Sequence, residues 1–129
     1  MDTSAEYIKQ CEKAKEIQDL IKNKRLSFYF RHTYDKKRRR LSVCQTGKAV
    51  NAHLWIPRQD QLQKIMFGDI GHISFFIDSL TSYLFDYSDT QCPRFDFDRK
   101  FGSMEQLWLG FVMSERYHKK WDGNDWVNQ

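Results

Sequence analysis

The order of apolar and polar residues predicts one helix, then three strands, then three helices. Apolar side chains recur at helical spacing over residues 4–23, and Thr3 with Glu6 fits a capping box at the start. From Leu26 the period shortens to two, which is typical of a strand with one buried face. The alternation continues through segments at about 26–34, 39–45 and 50–56. We therefore predict a three-stranded antiparallel sheet built around a hairpin.

Helical spacing returns after Pro57 and predicts helices over 59–67 and 71–86, then one capped by Ser103 and closed at Asp122-Gly123. Trp126 is expected to fold back against Trp121. The predicted fold is α+β, and residues 1–129 are the length of a single domain. Its core is predicted to contain Leu26, Phe28, Phe30, Leu41, Val43, Leu54, Leu107 and Phe111.

Composition favours a packed protein of the cytoplasm. Aromatic residues make up 16% of the chain, which is high for a disordered sequence. The first residues are neither basic nor apolar, so we expect no signal peptide, and no apolar run is long enough to span a bilayer. Three scattered cysteines, Cys11, Cys44 and Cys92, are expected to be reduced thiols.

Positive charge is concentrated in one segment of the chain. The net charge is +4, yet residues 22–58 contain eleven Lys and Arg against one acid, a segment charge of +10. At the predicted hairpin turn stand five consecutive cations, Lys36, Lys37, Arg38, Arg39 and Arg40. Such a cluster attracts phosphate or carboxylate groups. The alternative is a solvated hairpin tip that only keeps the sheet edge soluble.

Alternation places Tyr29, Arg31 and Trp55 on the outward face of the predicted sheet. Exposed aromatic rings beside arginine are how sheet-based modules hold single-stranded nucleic acid. The competing interpretation is that the first helix covers this face and Trp55 belongs to the core.

Catalytic chemistry has weak support in the sequence. Asp86, Asp89, Asp96 and Asp98 cluster in a predicted loop and could bind a divalent ion, as the carboxylates of nucleases do. The aromatic residues between these aspartates fit a surface strand equally well. The four histidines, His32, His53, His72 and His118, lack metal-ligand spacing. With no phosphate loop or nucleophile motif present, we predict no enzymatic activity and no cofactor.

Three stretches of the chain stand out together: residues 7–18, residues 55–63 with the motif Trp55-Ile56-Pro57-Arg58-Gln59-Asp60-Gln61-Leu62, and residues 101–113 with the motif Ser103-Met104-Glu105-Gln106-Leu107-Trp108, continuing to Trp121-Asp122-Gly123. They resemble an uncharacterised family of small proteins encoded by phages and prophages of Gram-positive bacteria. The resemblance implies a phage accessory protein acting in the host bacterial cytoplasm. The resemblance implies no particular activity and assigns no site residues.

The sequence thus leads to one principal hypothesis, a non-enzymatic phage protein that binds an acidic target through its basic hairpin. The target could be nucleic acid, a nucleotide signal or a host protein–nucleic-acid complex. An inhibitor of host defence, of the anti-CRISPR kind, is its sharpest form. The alternatives are a metal-dependent nuclease that uses the loop from Asp86 to Asp98, and a homo-oligomeric structural protein.

Overall fold

The computed structural model describes residues 1–23, 30–45, 53–67, 73–86 and 101–129. Within these ranges the helices are α1 (Ala5–Lys13), α2 (Lys15–Lys22), α3 (Gln59–Phe67), α4 (Ile73–Asp86) and α5 (Met104–Tyr117). The strands are β1 (Phe30–Asp35), β2 (Arg40–Gln45), β3 (Leu54–Ile56), β4 (Lys119–Trp121) and β5 (Trp126–Asn128). The predicted α+β class, with an N-terminal helix and a three-stranded antiparallel sheet, is confirmed.

The predicted first helix is broken at Ala14 into α1 and α2. Ser4, not Thr3, caps α1, since its Oγ accepts a hydrogen bond from the Tyr7 amide at 3.2 Å. Ala14 has ψ 69°, outside the helical range, and its carbonyl accepts from Ile17 and Gln18 to restart the helix. The break lets both helices reach the same segment. Tyr7 Oη donates to the Pro57 carbonyl at 2.6 Å, while Gln18 binds the backbone of Trp55.

β1 is the central strand of the sheet, in the order β2-β1-β3. Thr33 faces Ser42 on β2 and Trp55 on β3. The Gln18 side chain closes the edge of β3 that faces away from β1. Its Nε2 donates to Trp55 O at 2.9 Å, and its Oε1 accepts from Trp55 N at 3.0 Å. The amide thus takes the place of a further strand.

Burial follows the position of each strand rather than the predicted alternation of faces. Ile56 and Trp55, on opposite faces of β3, are both buried because the helices pack around this edge. Val43, on β2 at the other edge, is 58% exposed, so its place in the predicted core is wrong. Leu107 and Phe111 are buried as predicted, and Leu41 and Leu54 pack partly buried against the core. Leu26, Phe28 and the side chain of Phe30 lie outside the described residues.

The predicted end of the last helix is wrong, because α5 ends at Tyr117 and a hairpin of β4 and β5 follows. His118 makes the transition with a φ of 53°, in the left-handed region. Trp121 and Trp126 do lie together, with ring centroids 5.1 Å apart. Trp126 Nε1 donates to the Gln10 carbonyl of α1 at 3.0 Å. This hairpin therefore packs against the first helix.

The residues before α1 contact the start of α5. Asp2 Oδ2 accepts hydrogen bonds from Ser103 Oγ at 2.6 Å and from Gln106 Nε2 at 2.7 Å. These bonds and burial act in opposite directions on the Asp2 carboxyl, and its pKa is lowered on balance. None of the helices that the structure describes is long and apolar enough to cross a membrane.

Candidate functional site

The basic hairpin turn, residues 36–39, is shaped by the aspartate that precedes it. Asp35 pairs with Arg40 across the strands, and its Oδ1 accepts from the backbone amides of Lys37 at 2.9 Å and Arg38 at 3.1 Å. The bond from the Arg38 amide contributes most to lowering the pKa of the Asp35 carboxyl. Because an ionised Asp35 holds two amides of the turn, the loop has a defined shape on which its cations are displayed.

All five cations from Lys36 to Arg40 are exposed. Two of them contact carboxylates: Lys36 forms an ion pair with Glu12 of α1, and Arg38 Nε lies 3.8 Å from Asp35 Oδ2. The Arg38 side chain nevertheless remains 69% exposed. Lys37, Arg39 and Arg40 make no ion pair within the described part of the chain. The turn therefore carries an excess of positive charge that is open to a partner.

The contact between Lys36 and Glu12 was not visible in the sequence. The two residues are 24 positions apart, and no motif links them. Both side chains are about half exposed, so the pair contributes little to stability. Its effect is positional, because it ties the hairpin tip to α1.

The predicted stacking face does not form as expected. Trp55 is 2% exposed and Thr33 is 3% exposed, so the Trp55 ring is a core residue and unavailable to a base. Arg31 is half-buried, and its Nε is buried without a hydrogen-bond partner in the described structure. Tyr29 lies outside the described residues. The structure thus supports the competing interpretation for Trp55, because Trp55 is a core residue and α1 packs against β3.

Within the described residues, His32 is the basic residue on the opposite face of the sheet. Burial lowers the pKa of His32 below its ordinary value, and the nearby Arg58 guanidinium lowers it further. Arg58 itself donates from Nε and Nη2 to both carboxylate oxygens of Asp60, each at 2.8 Å. Among the described residues of the sheet, the exposed positive charge is therefore concentrated at the turn.

The predicted metal site is not placed. Residues 87–100, which contain Asp89, Asp96 and Asp98, lie outside the described residues, as does the side chain of Asp86. Across residues 1–23, 30–45, 53–67, 73–86 and 101–129, no cluster of His, Cys, Asp or Glu could hold a metal ion.

Comparison of the chain with protein-family models, with curated proteins and with solved structures gives no match. The resemblance to a phage family therefore stays a prediction. The geometry and charge of the hairpin carry the functional argument.

Replacing Arg39 by glycine is expected to leave the free energy of unfolding unchanged or raise it by up to about 1 kcal/mol. Arg39 has a φ of 50°, a left-handed backbone conformation that is strained for residues other than glycine. Arg39→Val, with a branched side chain in the same conformation, is expected to lose about 1–2 kcal/mol. Urea unfolding of the three proteins measures both effects. A glycine variant less stable than the valine variant would contradict this geometry.

Proposed function

We propose that this protein binds an anionic target through the exposed cations Lys36 to Arg40, at the hairpin turn and the start of β2, and catalyses no reaction. One observation carries this proposal: the turn exposes five consecutive cations, and only two carboxylates of the described residues form ion pairs with them. Like charges so close together repel each other, and a bound anion relieves that repulsion. In water such a cluster gains further affinity from released counterions.

The arginines favour phosphate groups as the ligand. A guanidinium donates two parallel hydrogen bonds to a phosphate, and Arg38, Arg39 and Arg40 stand next to each other. The proposed partner is therefore a phosphate-bearing molecule, either nucleic acid or a nucleotide signal. The resemblance of the sequence to phage-encoded proteins extends the proposal to a setting, the bacterial cytoplasm. There the protein would inhibit a host defence complex that handles nucleic acid.

The test compares two variants with the same loss of charge. One replaces Arg38 and Arg40 by alanine and Arg39 by glycine. The control replaces three exposed cations outside the hairpin of β1 and β2, Lys15, Arg116 and Lys120, by alanine. Fluorescence anisotropy measures their affinity for labelled single- and double-stranded DNA and RNA between 50 and 200 mM salt.

We expect the parent protein to lose affinity steeply as salt rises, because each neutralised phosphate releases counterions. In the hairpin variant, the slope of log affinity against log salt falls by about 2–3, one counterion step for each arginine. The control keeps most of the slope. If the two variants have the same affinity and the same salt slope, the hairpin does not bind the target and only keeps the sheet edge soluble.

A carboxylate-bearing protein target gives a different pattern. Poly-glutamate then binds as well as the oligonucleotides, or a host protein is retained from infected-cell lysate after nuclease treatment. Incubation of each nucleic acid with Mg²⁺ or Mn²⁺ checks the absence of catalysis. Cleavage that is lost in Asp96→Asn or Asp98→Asn would replace the binding function with nuclease activity.

A further inference from the structure

A cavity of about 280 Å³ lies between α1, α4, α5 and the hairpin of β4 and β5, and its described lining includes no residue of the basic turn. Four aromatic residues and two glutamines line it: Tyr83, Phe101, Trp121, Trp126, Gln10 and Gln106. Its volume is close to the lower end of the range of about 300–1,000 Å³ typical of small-molecule sites. The size suits a ligand of one or two rings.

The inner wall of the cavity is fixed by close packing. Gly110 of α5 also lines the cavity, and a Cβ at this position would lie 2.5 Å from Tyr83 Oη and 3.3 Å from Phe101 Cε1. The Tyr83 ring is held by Phe111, with centroids 5.3 Å apart, and is 6.2 Å from the Phe101 ring. The aromatic walls are therefore in place before any ligand arrives, which lowers the cost of binding.

The indole N–H groups of the two tryptophans are already used by acceptors within the protein. Trp121 Nε1 donates to Glu6 Oε1 at 2.8 Å, and Trp126 Nε1 donates to the Gln10 carbonyl at 3.0 Å. Lys9 Nζ lies 5.7 Å from the centroid of the Trp121 ring, so one cation already interacts with this wall. A neutral flat ligand is favoured over a second cation.

Gln10 has an acceptor without a partner. Its side chain is 5% exposed, and Oε1 is buried with no hydrogen bond, while Nε2 is 3.5 Å from Glu6 Oε1. The other amide of the cavity, Gln106, is satisfied on both sides, since Oε1 accepts from Gly102 N at 3.0 Å and Nε2 donates to Asp2. A buried acceptor left unpaired is unfavourable. To accept from a donor in the cavity, the Gln10 amide must rotate about its soft terminal torsion and give up the 3.5 Å contact of Nε2 with Glu6.

We propose that this cavity binds a nucleobase, with its ring against the aromatic walls and an N–H group donated to Gln10 Oε1. Stacking on aromatic side chains and hydrogen bonding at the base edge are how proteins hold unpaired bases. None of the described lining residues belongs to the basic turn, so this site does not depend on the function proposed for the hairpin.

Nucleosides serve as probes, because they carry the base without phosphate charge. Adenosine, guanosine, cytidine and uridine are titrated into the full chain, with fluorescence quenching and NMR of the Trp121 and Trp126 indole N–H signals as readouts. We expect saturable binding of at least one nucleoside below 1 mM, a scale typical of weak small-ligand sites. The shifts are expected at those two indoles. The hairpin variant described above binds the same nucleoside equally well.

Gln10→Met keeps the length of the side chain and removes the acceptor, so nucleoside affinity is expected to fall about tenfold or more. Gln63→Met, at a half-exposed residue that does not line the cavity, is the matched control and keeps the affinity. Methylation of the base removes the donor from the other side without changing the protein. If adenosine binds, N6,N6-dimethyladenosine must bind at least about tenfold more weakly to the parent.

Three results would overturn the proposal. The first is no saturation by any nucleoside at 10 mM, and the second is equal binding of the methylated and unmethylated probes. The third is binding of tetramethylammonium in place of nucleosides, which would assign the aromatic walls to a cation. Because the probes carry no phosphate, failure here leaves the salt-dependent binding at the hairpin intact, and the converse also holds.

Discussion

Replacing Gln18 by leucine is expected to lower the free energy of unfolding by about 3–5 kcal/mol. The Gln18 amide is 7% exposed and makes three buried hydrogen bonds, to Trp55 N, Trp55 O and Cys11 O. Leucine has a similar size but leaves all three backbone groups without this partner, and each unsatisfied buried group costs about 1–3 kcal/mol. Urea unfolding measures the loss. Gln63→Leu, at a half-exposed position, is the control and should change stability by less than about 0.5 kcal/mol.

The Gln18→Glu variant tests the same contacts through pH. A carboxylate at this position would face two carbonyl acceptors, Trp55 O and Cys11 O, so burial should raise its pKa above the ordinary glutamate value of about 4.3. The protonated acid restores one of the two donors of the amide, so one of the two carbonyls regains its hydrogen bond. Relative to the parent, this variant should be most stable below about pH 4 and should lose stability as pH rises through its folded-state pKa. A loss below about 1 kcal/mol for Gln18→Leu, with no pH effect for Gln18→Glu, would show that the strand edge does not need the amide.

The second large effect is expected from Phe111→Ala, with a loss of about 3–5 kcal/mol in the free energy of unfolding. Phe111 is fully buried on α5. Its ring lies 5.3 Å from that of Tyr83 and 5.8 Å from that of Trp108, in an edge-to-face arrangement with Trp108. Truncation removes these contacts and leaves a cavity that the surrounding rings cannot fill.

Phe111→Leu, which keeps most of the volume, should lose less than about 1.5 kcal/mol and serves as the matched comparison. Thermal and urea unfolding, read by circular dichroism, rank the two variants. If Phe111→Ala costs less than about 1 kcal/mol, Phe111 does not belong to the core that α5 builds.

The sequence predicted the elements of the sheet better than the burial of its side chains. Alternation identifies residues that share a face, and Thr33, Ser42 and Trp55 do share one. It cannot show which strand the helices will cover. Trp55 is buried because it belongs to β3, which packs against α1, whereas Val43 is exposed on the far strand. Tertiary packing therefore determines the burial of both side chains.

The errors at the two ends of the chain have local causes. Neither glycine nor proline marks the break at Ala14, so helical spacing continues through it. Asp122-Gly123 was a correct turn signal assigned to the wrong element, because it lies between β4 and β5 rather than at the end of α5. The exposed cations of the hairpin followed directly from their order in the sequence. The contact of Lys36 with Glu12 and the aromatic cavity depend on tertiary contacts, so no local pattern reveals them.

The contacts of α1 with distant parts of the chain have a consequence for synthesis on the ribosome. Tyr7 bonds to Pro57, Asp2 bonds to Ser103, and the Gln10 carbonyl accepts from Trp126. A nascent chain can form the hairpin of β1 and β2 early, because its residues are neighbours. It cannot complete the packing of α1 until residue 126 has emerged. Until then the apolar face of the first helix is incompletely covered and is open to chaperones and proteases.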